Sequence, residues 1–234
     1  MQNLIAKCAL LPALLFVAPA ALAQEIAPDA MLRAVSVKVF DKIKQDRESP
    51  AADPINVAGL VESDILPLFD FAHMTRLAMA RNWSLSTPEQ QAALTGEFKT
   101  LLVRTYSNAL VQYRDEVVDF KKLRAVPQDT EVTVKSEVRQ TGKEHMTLDY
   151  DMQKTAEGWR IYDIKVAGVG MVASYREVFA QKVREGGVDG LIKFLVDGNR
   201  DGGSRFKSVK SAFWEKSRLM YAIFQNMIRS GTQQ

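Results

Sequence analysis

The stretch from Tyr162 to Phe179, YDIKVAGVGMVASYREVF, admits two folds. An alternating strand runs into Gly168-Val169-Gly170-Met171-Val172-Ala173, which satisfies the letters G-x-G-x-x-G/A, and a helical pattern follows. A dinucleotide fingerprint of that form works only inside a βαβ unit, with a parallel strand and an acidic residue beyond it. If the glycines merely turn the chain off a sheet, the strands before them should pair antiparallel and no strand should follow. The flanking residues separate the two.

Upstream the chain alternates. In TEVTVKSEV (130–138), Val132, Val134 and Val138 point one way, while Glu131, Thr133, Lys135 and Glu137 point the other. In HMTLDYDM (145–152), Met146, Leu148, Tyr150 and Met152 oppose His145, Thr147, Asp149 and Asp151. Thr141-Gly142 and Glu157-Gly158 make turns, the second leading into WRIYDIKV (159–166). With VVDFKKLRAV (117–126) in front, this spells a four-stranded antiparallel meander joined by hairpins. Downstream no strand is visible, and Asp189 stands among Gly186, Gly187 and Gly190 at a helix start. The nucleotide reading therefore fails, and the glycines let the backbone turn sharply and pack closely.

Helices precede and follow the meander. Met31, Val35, Val39 and Ile43 fall at intervals of four, giving one apolar stripe between Pro28 and Asp46. A breaker, SPAADP, separates this from a shorter helix over 55–66, and Pro67 closes that one before FDFAHMTRLAMARNW opens another. Thr87, Pro88 and Gln90 then supply an N-cap, a first helical proline and a capping-box partner. The long helix they open buries Leu94, Phe98, Leu101, Leu102, Thr105, Ala109 and Tyr113. The expected fold is α+β, with helices packed on one face of a curved four-stranded antiparallel sheet.

The ends add organisation. MQNLIAKCALLPALLFVAPAALAQ carries one positive charge at Lys7, an apolar run from Cys8 to Val17 and the small-residue site Ala21-Leu22-Ala23. This reads as a secretory signal peptide over 1–23, leaving Gln24 first. Cys8 precedes the apolar run, which does not suit a lipoprotein, and as the only cysteine it leaves with the signal. A chain free of disulfides and thiols, long enough to bury its own core, fits a bacterial periplasm. At the other end GNRDGGS (198–204) reads as a flexible linker, following a single domain over 24–197. Beyond it, Phe206, Val209, Phe213, Met220, Phe224 and Met227 keep helical spacing among Lys and Arg residues, an amphipathic helix over 205–231 suited to a membrane surface or a partner's groove.

Few residues offer chemistry. The net charge of +3 is too small to argue for nucleic acid. His73 sits in an apolar helix without metal-ligand neighbours, and His145, Asp149 and Asp151 read as solvated strand residues. Asp163 alternates with Trp159 and Ile161, which suits a half-buried structural hydrogen bond. No Gly-x-Ser-x-Gly elbow or Cys–His pair appears, so catalysis has no visible carrier. What remains is apolar concavity: Val134, Leu148, Tyr150 and Ile161 face helices rich in Met, Leu and Phe. Such a surface either fills itself as a core or closes around a ligand, and the pattern alone leaves both open.

Three blocks carry a resemblance. ILPLFDFAHMTRLAMARNWSLSTPEQQAALTGEFKTLLVRTY, GWRIYDIKVAGVGMVASYREVF and EGGVDGLIKFL, in that order, resemble the periplasmic phospholipid-binding MlaC family, also described as toluene-tolerance auxiliary proteins. The resemblance spans roughly residues 27–197 and implies a fold similar to nuclear transport factor 2. It further implies a cavity for phospholipid acyl chains, no enzymatic activity and no cofactor. The implied role is a shuttle maintaining outer-membrane lipid asymmetry, between an outer-membrane lipoprotein complex and an inner-membrane ABC transporter with an MCE-domain subunit. A family branch linked to hopanoids keeps a different lipid in play, and an enzyme with a similar cone-shaped fold, acting through Asp163 or a tyrosine, is the other alternative. Under the resemblance the lipid-binding residues are Phe69, Met74, Leu77, Leu102 and Tyr106 from the helices. The sheet adds Val132, Val134, Met146, Leu148, Tyr150 and Ile161, and the closing turn and helix add Val169, Met171, Val172 and Tyr175. Two acyl chains hold roughly 30 methylenes at about 0.8 kcal/mol each, so exposing them to water would cost on the order of 20 kcal/mol. An apolar pocket cancels most of that barrier without catalysis.

Overall fold

The alternating residues pair as a meander. The computed structural model describes residues 26–48, 57–112, 117–124, 126, 128–139, 145–202, 204–207, 209, 211–213 and 215–216. The signal peptide, the Thr141-Gly142 turn, Tyr113 and the tail beyond 216 lie outside these residues. Strands β1 (Val117–Phe120), β2 (Glu131–Arg139), β3 (Met146–Thr155) and β4 (Gly158–Val166) run antiparallel in chain order. The first is shorter than its sequence suggested, ending at Phe120. A fifth strand, β5 (Val169–Gly170), also joins the sheet, pairing Val166 with Val169 across Ala167-Gly168. Both turn residues have positive φ, 48° and 81°, as a two-residue primed hairpin turn requires.

One irregularity re-aims β4. Met152 pairs with Ile161 but Asp151 pairs with Asp163, so Tyr162 is an extra residue in a β-bulge. Asp163 therefore leaves the face shared by Trp159 and Ile161, while Ile164 and Val166 join it opposite Tyr150 and Leu148. The sequence reading of Asp163 as an alternating partner of Ile161 is corrected by that single residue.

Five α-helical elements surround the sheet: α1 (Pro28–Glu48), α2 (Val57–Leu60), α3 (Phe71–Met79), α4 (Pro88–Gln112) and α5 (Met171–Arg200). The capping box forms as written: the Thr87 N–H donates to Gln90 Oε1 at 3.0 Å, and the Gln90 N–H donates to Thr87 Oγ1 at 3.3 Å. Asp70 caps α3 by accepting from the His73 N–H at 2.8 Å, and its own N–H donates to the Ile161 carbonyl, fastening α3 to the β4 edge. Helix α5 breaks at Gly186-Gly187, where Gly187 has φ 67°. Met74, Leu94, Phe98, Leu101, Val172, Tyr175 and Phe179 form the cluster joining α3, α4 and α5. Leu32 of α1 closes a second cluster over Phe120, Val134, Met152, Trp159 and Ile161. Asp64, in the turn after α2, draws Lys38 and Lys42 of α1 to 2.5 and 2.8 Å, and those two ammonium groups hold its carboxyl below the usual carboxylate range.

The C-terminal segment differs from its reading as a tethered helix. Residues 198–200, expected to begin a linker, are the last turn of α5. Gly198 is there for a contact: a Cβ on it would lie 2.3 Å from the Phe206 ring. Asn199 donates to the Glu97 carbonyl and carboxylate at 2.9 and 2.7 Å, and the Arg104 guanidinium donates to the Asn199 carbonyl. Phe206, Val209 and Phe213 are all buried in the α3–α4–α5 cluster.

Candidate functional site

The sheet curves away from α1 and leaves a cavity of about 270 Å³ between them. Its lining is apolar apart from Ser36, Tyr106 and Tyr150. Of the residues expected to bind lipid, Phe69, Met74, Leu102, Tyr106, Leu148, Tyr150, Ile161 and Met171 meet around it. The others do not line it. Val132 and Val134 pack in the cluster under Leu32, with Val134 fully buried. Leu77, Met146, Val169, Val172 and Tyr175 belong to the α3–α4–α5 cluster, where Tyr175 stacks edge-on to Phe98 at 5.1 Å.

The sequence reading missed a whole wall. Leu32, Val35, Ser36, Val39 and Phe40 of α1 face the cavity, and Val61, Ile65, Leu66 and Leu68 continue that wall. The four-residue stripe on α1 was the available signal. Phe71 and Val103 extend the α3 and α4 sides. Val118 and Val138 come from β1 and β2, and the bulge at Tyr162 supplies Ile164 and Val166. Phe213 reaches in from the C-terminal segment, its ring 6.2 Å from that of Tyr106. That contact corrects the expectation of a tail working apart from the pocket.

A second, more open groove shares Leu66, Phe69, Phe71 and Val103 with the cavity. Here the walls turn polar: Glu62, Lys99, Thr100, Arg104, Glu157 and Arg160 line it. Apolar depth and a charged mouth are thus continuous.

The titratable residues lie elsewhere. Asp163 is buried but does not line the cavity; its Oδ1 accepts from the N–H groups of Ile164 and Val172 at 2.8 and 3.0 Å, at the start of α5. A Cβ on Gly170 would fall 2.7 Å from Asp163 Oδ2, so this glycine gives room to a carboxylate of the protein itself. Asp151, expected on the solvated face, is buried beside it and bonded to Lys165 at 2.6 Å and Thr133 at 2.7 Å. Burial pushes Asp149 up as well, against the attraction of Lys135 and Lys165. His73 stacks on Tyr162 at 4.5 Å, and no metal-binding group of three is found among the described residues.

Burial also pushes the Asp163 carboxyl above its ordinary range, outweighing the two N–H bonds that pull it down. A carboxyl raised on folding adds stability that is complete below its unfolded pKa, near 4, and is lost as pH rises through the raised value. Asp163→Asn cannot titrate and should remove that share of the slope. Melting temperatures of both proteins between about pH 3 and 8 test this; parallel profiles would refute it.

Among the described residues no helix is long and apolar enough to cross a membrane. A phospholipid-binding protein from Ralstonia solanacearum, solved in complex with a phospholipid, superimposes with a TM-score of 0.67 at 37% identity, covering 76% of this chain and 100% of its own. The Haemophilus influenzae intermembrane phospholipid transport system binding protein MlaC is 21% identical over 171 residues, 72% of this chain and 80% of its own length. Toluene tolerance protein ttg2D of Pseudomonas putida is 20% identical over 163 residues, 69% and 75% of the two chains. The profile of the MlaC protein family matches residues 33–197, which hold every cavity-lining residue except Leu32 and Phe213, and the chain belongs to that family.

Proposed function

We propose that this protein is a periplasmic phospholipid carrier that takes acyl chains into the cavity between α1 and the sheet. One observation carries the reading: of the side chains lining the cavity, only Ser36, Tyr106 and Tyr150 bear polar atoms. At about 270 Å³ the cavity is close to the lower end of ordinary ligand pockets, roughly 300 Å³ and upward, and the groove that opens from it extends the path for a chain. Bilayer and pocket are both apolar, so transfer between them is nearly neutral, as a reversible shuttle needs. The partners in this reading are an outer-membrane lipoprotein complex and the MCE-domain subunit of an inner-membrane ABC transporter. The protein's part is binding and release, without bond chemistry; Asp163, the carboxyl most displaced from solvent, is spent on capping α5.

Lipids extracted from natively purified protein and identified by mass spectrometry test this. Phospholipid near one molecule per chain is expected, and protein stripped in detergent should reload from vesicles. Protein that is consistently free of lipid and takes none from vesicles would exclude the carrier. A hopanoid in place of phospholipid would keep the carrier and change its cargo.

A further inference from the structure

Beyond acyl chains, the groove at the cavity mouth has its own chemistry. Lys99 and Arg104 stand on α4, Arg160 on β4, Glu62 in the turn after α2 and Glu157 in the turn before β4. Three cations against two carboxylates leave the groove one positive charge in excess. The cations are not equally engaged. Arg104 is held by the Asn199 carbonyl. Arg160 donates to Glu157 at 3.1 Å, but that carboxylate is 82% exposed, and so exposed a pair is weak and exchangeable. Lys99 forms no ion pair among the described residues; its ammonium stands 5.6 Å above the Phe71 ring, and Phe71 lines both groove and cavity. A charge therefore sits at the point where the apolar wall ends.

We propose that Lys99 and Arg160 bind the phosphate of the lipid headgroup, fixing it at the mouth while the chains enter the cavity. The inference rests on the carrier reading and adds a source of selectivity to it. An apolar cavity accepts any two chains, whether or not a phosphate joins them. A phosphodiester supplies one negative charge and acceptor oxygens for an ammonium and a guanidinium, which form stronger bonds to ionised acceptors than to neutral ones. Glu62 and Glu157 in the same groove stand ready for the ammonium of a zwitterionic headgroup.

Vesicles holding a diacyl phosphatidylethanolamine together with diacylglycerol of the same chains separate phosphate from chains. Stripped protein is incubated with them, repurified, and its lipids weighed by mass spectrometry. Lys99→Gln with Arg160→Gln should lower the ratio of phospholipid to diacylglycerol about tenfold against the unaltered protein, since two charge-assisted contacts are lost. Diacylglycerol uptake itself should hold. Arg160→Lys in place of Arg160→Gln should restore much of the ratio, and Lys193→Gln, outside the groove, should leave it unchanged. An unchanged ratio in the double variant, or equal losses of both lipids, overturns the proposal. Unaltered protein taking up neither lipid means instead that the carrier reading has failed. Phosphorus NMR with inorganic phosphate distinguishes a free anion: saturable binding lost in the double variant, with lipid ratios unmoved, would make this a phosphate site unrelated to lipid.

Discussion

Leu148→Asp should leave the protein folded but unable to retain lipid, whereas Val134→Asp should prevent stable folding. The two residues sit on the same inner face of the sheet, Val134 opposite Tyr150 and Leu148 one pair along on β3, opposite Ser136. Alternation alone treats them as equivalent. Their surroundings differ. Val134 is 0% exposed, enclosed by Leu32, Phe120, Met152, Trp159 and Ile161, so a carboxylate there has neither water nor a partner. Burying an unpaired charge costs several kcal/mol or forces protonation, comparable with the whole stability of about 5–15 kcal/mol. Leu148 is half-buried and lines the cavity, where a carboxylate is free to take up water in place of lipid. It then removes the apolar surface that acyl chains need, and the ion's desolvation opposes their return. Circular dichroism and melting report folding, and lipid extraction reports retention. Similar behaviour of the two variants, both unfolded or both loaded, would contradict the separation of core from cavity.

That separation was the part of the site the sequence could not show. Period-2 alternation says which face of a strand is apolar, and it placed Val132, Val134, Leu148, Tyr150 and Ile161 together on the inner face. Whether that face meets another side chain or a space depends on the helix above it. Leu32 fills the region over Val134, and the cavity opens where α1 leans toward Val61 and Ile65. The same limit applies to α5. Tyr175 and Val172 lie on an apolar helical stripe, but the partner that covers them is Phe98 and its neighbours on α4.

The bulge shows a second limit. WRIYDIKV alternates plausibly with Trp159, Ile161 and Asp163 on one side, and no residue in it announces an insertion. The extra residue becomes visible only through pairing with β3. Its consequences are functional, since it turns Ile164 and Val166 into cavity wall and moves Asp163 to the N-terminus of α5. The hairpin and capping signals, by contrast, were legible because they are local. Thr87 and Gln90 bond within one turn, and Ala167-Gly168 reverses the chain within two residues, whatever packs around them.

Removing the C-terminal segment should weaken both the fold and lipid retention, and Gly198 offers the sharpest measure of why. In a helix held away from any neighbour, Gly→Ala gains up to about 1 kcal/mol through backbone entropy. At Gly198 the added Cβ would stand 2.3 Å from the Phe206 ring, itself 1% exposed and packed edge-on to Phe194 at 5.2 Å. The ring has no free space to swing into, so Gly198→Ala should instead destabilise by about 1–3 kcal/mol, as overpacking does. Phe206→Ala should cost about 3–5 kcal/mol by leaving a cavity in that cluster. Combining the two is decisive. With the ring gone, the alanine at 198 regains its helical advantage, so the double variant should be no less stable than Phe206→Ala alone, a departure from additivity expected of touching residues. Ending the chain at Asp201 also withdraws Phe213 from the cavity wall beside Tyr106, and retained lipid should fall with stability. A truncated protein that keeps its melting temperature and its lipid, or a stabilising Gly198→Ala, would show that the segment does not seat on the body in solution and would return it to the role of a free amphipathic tail.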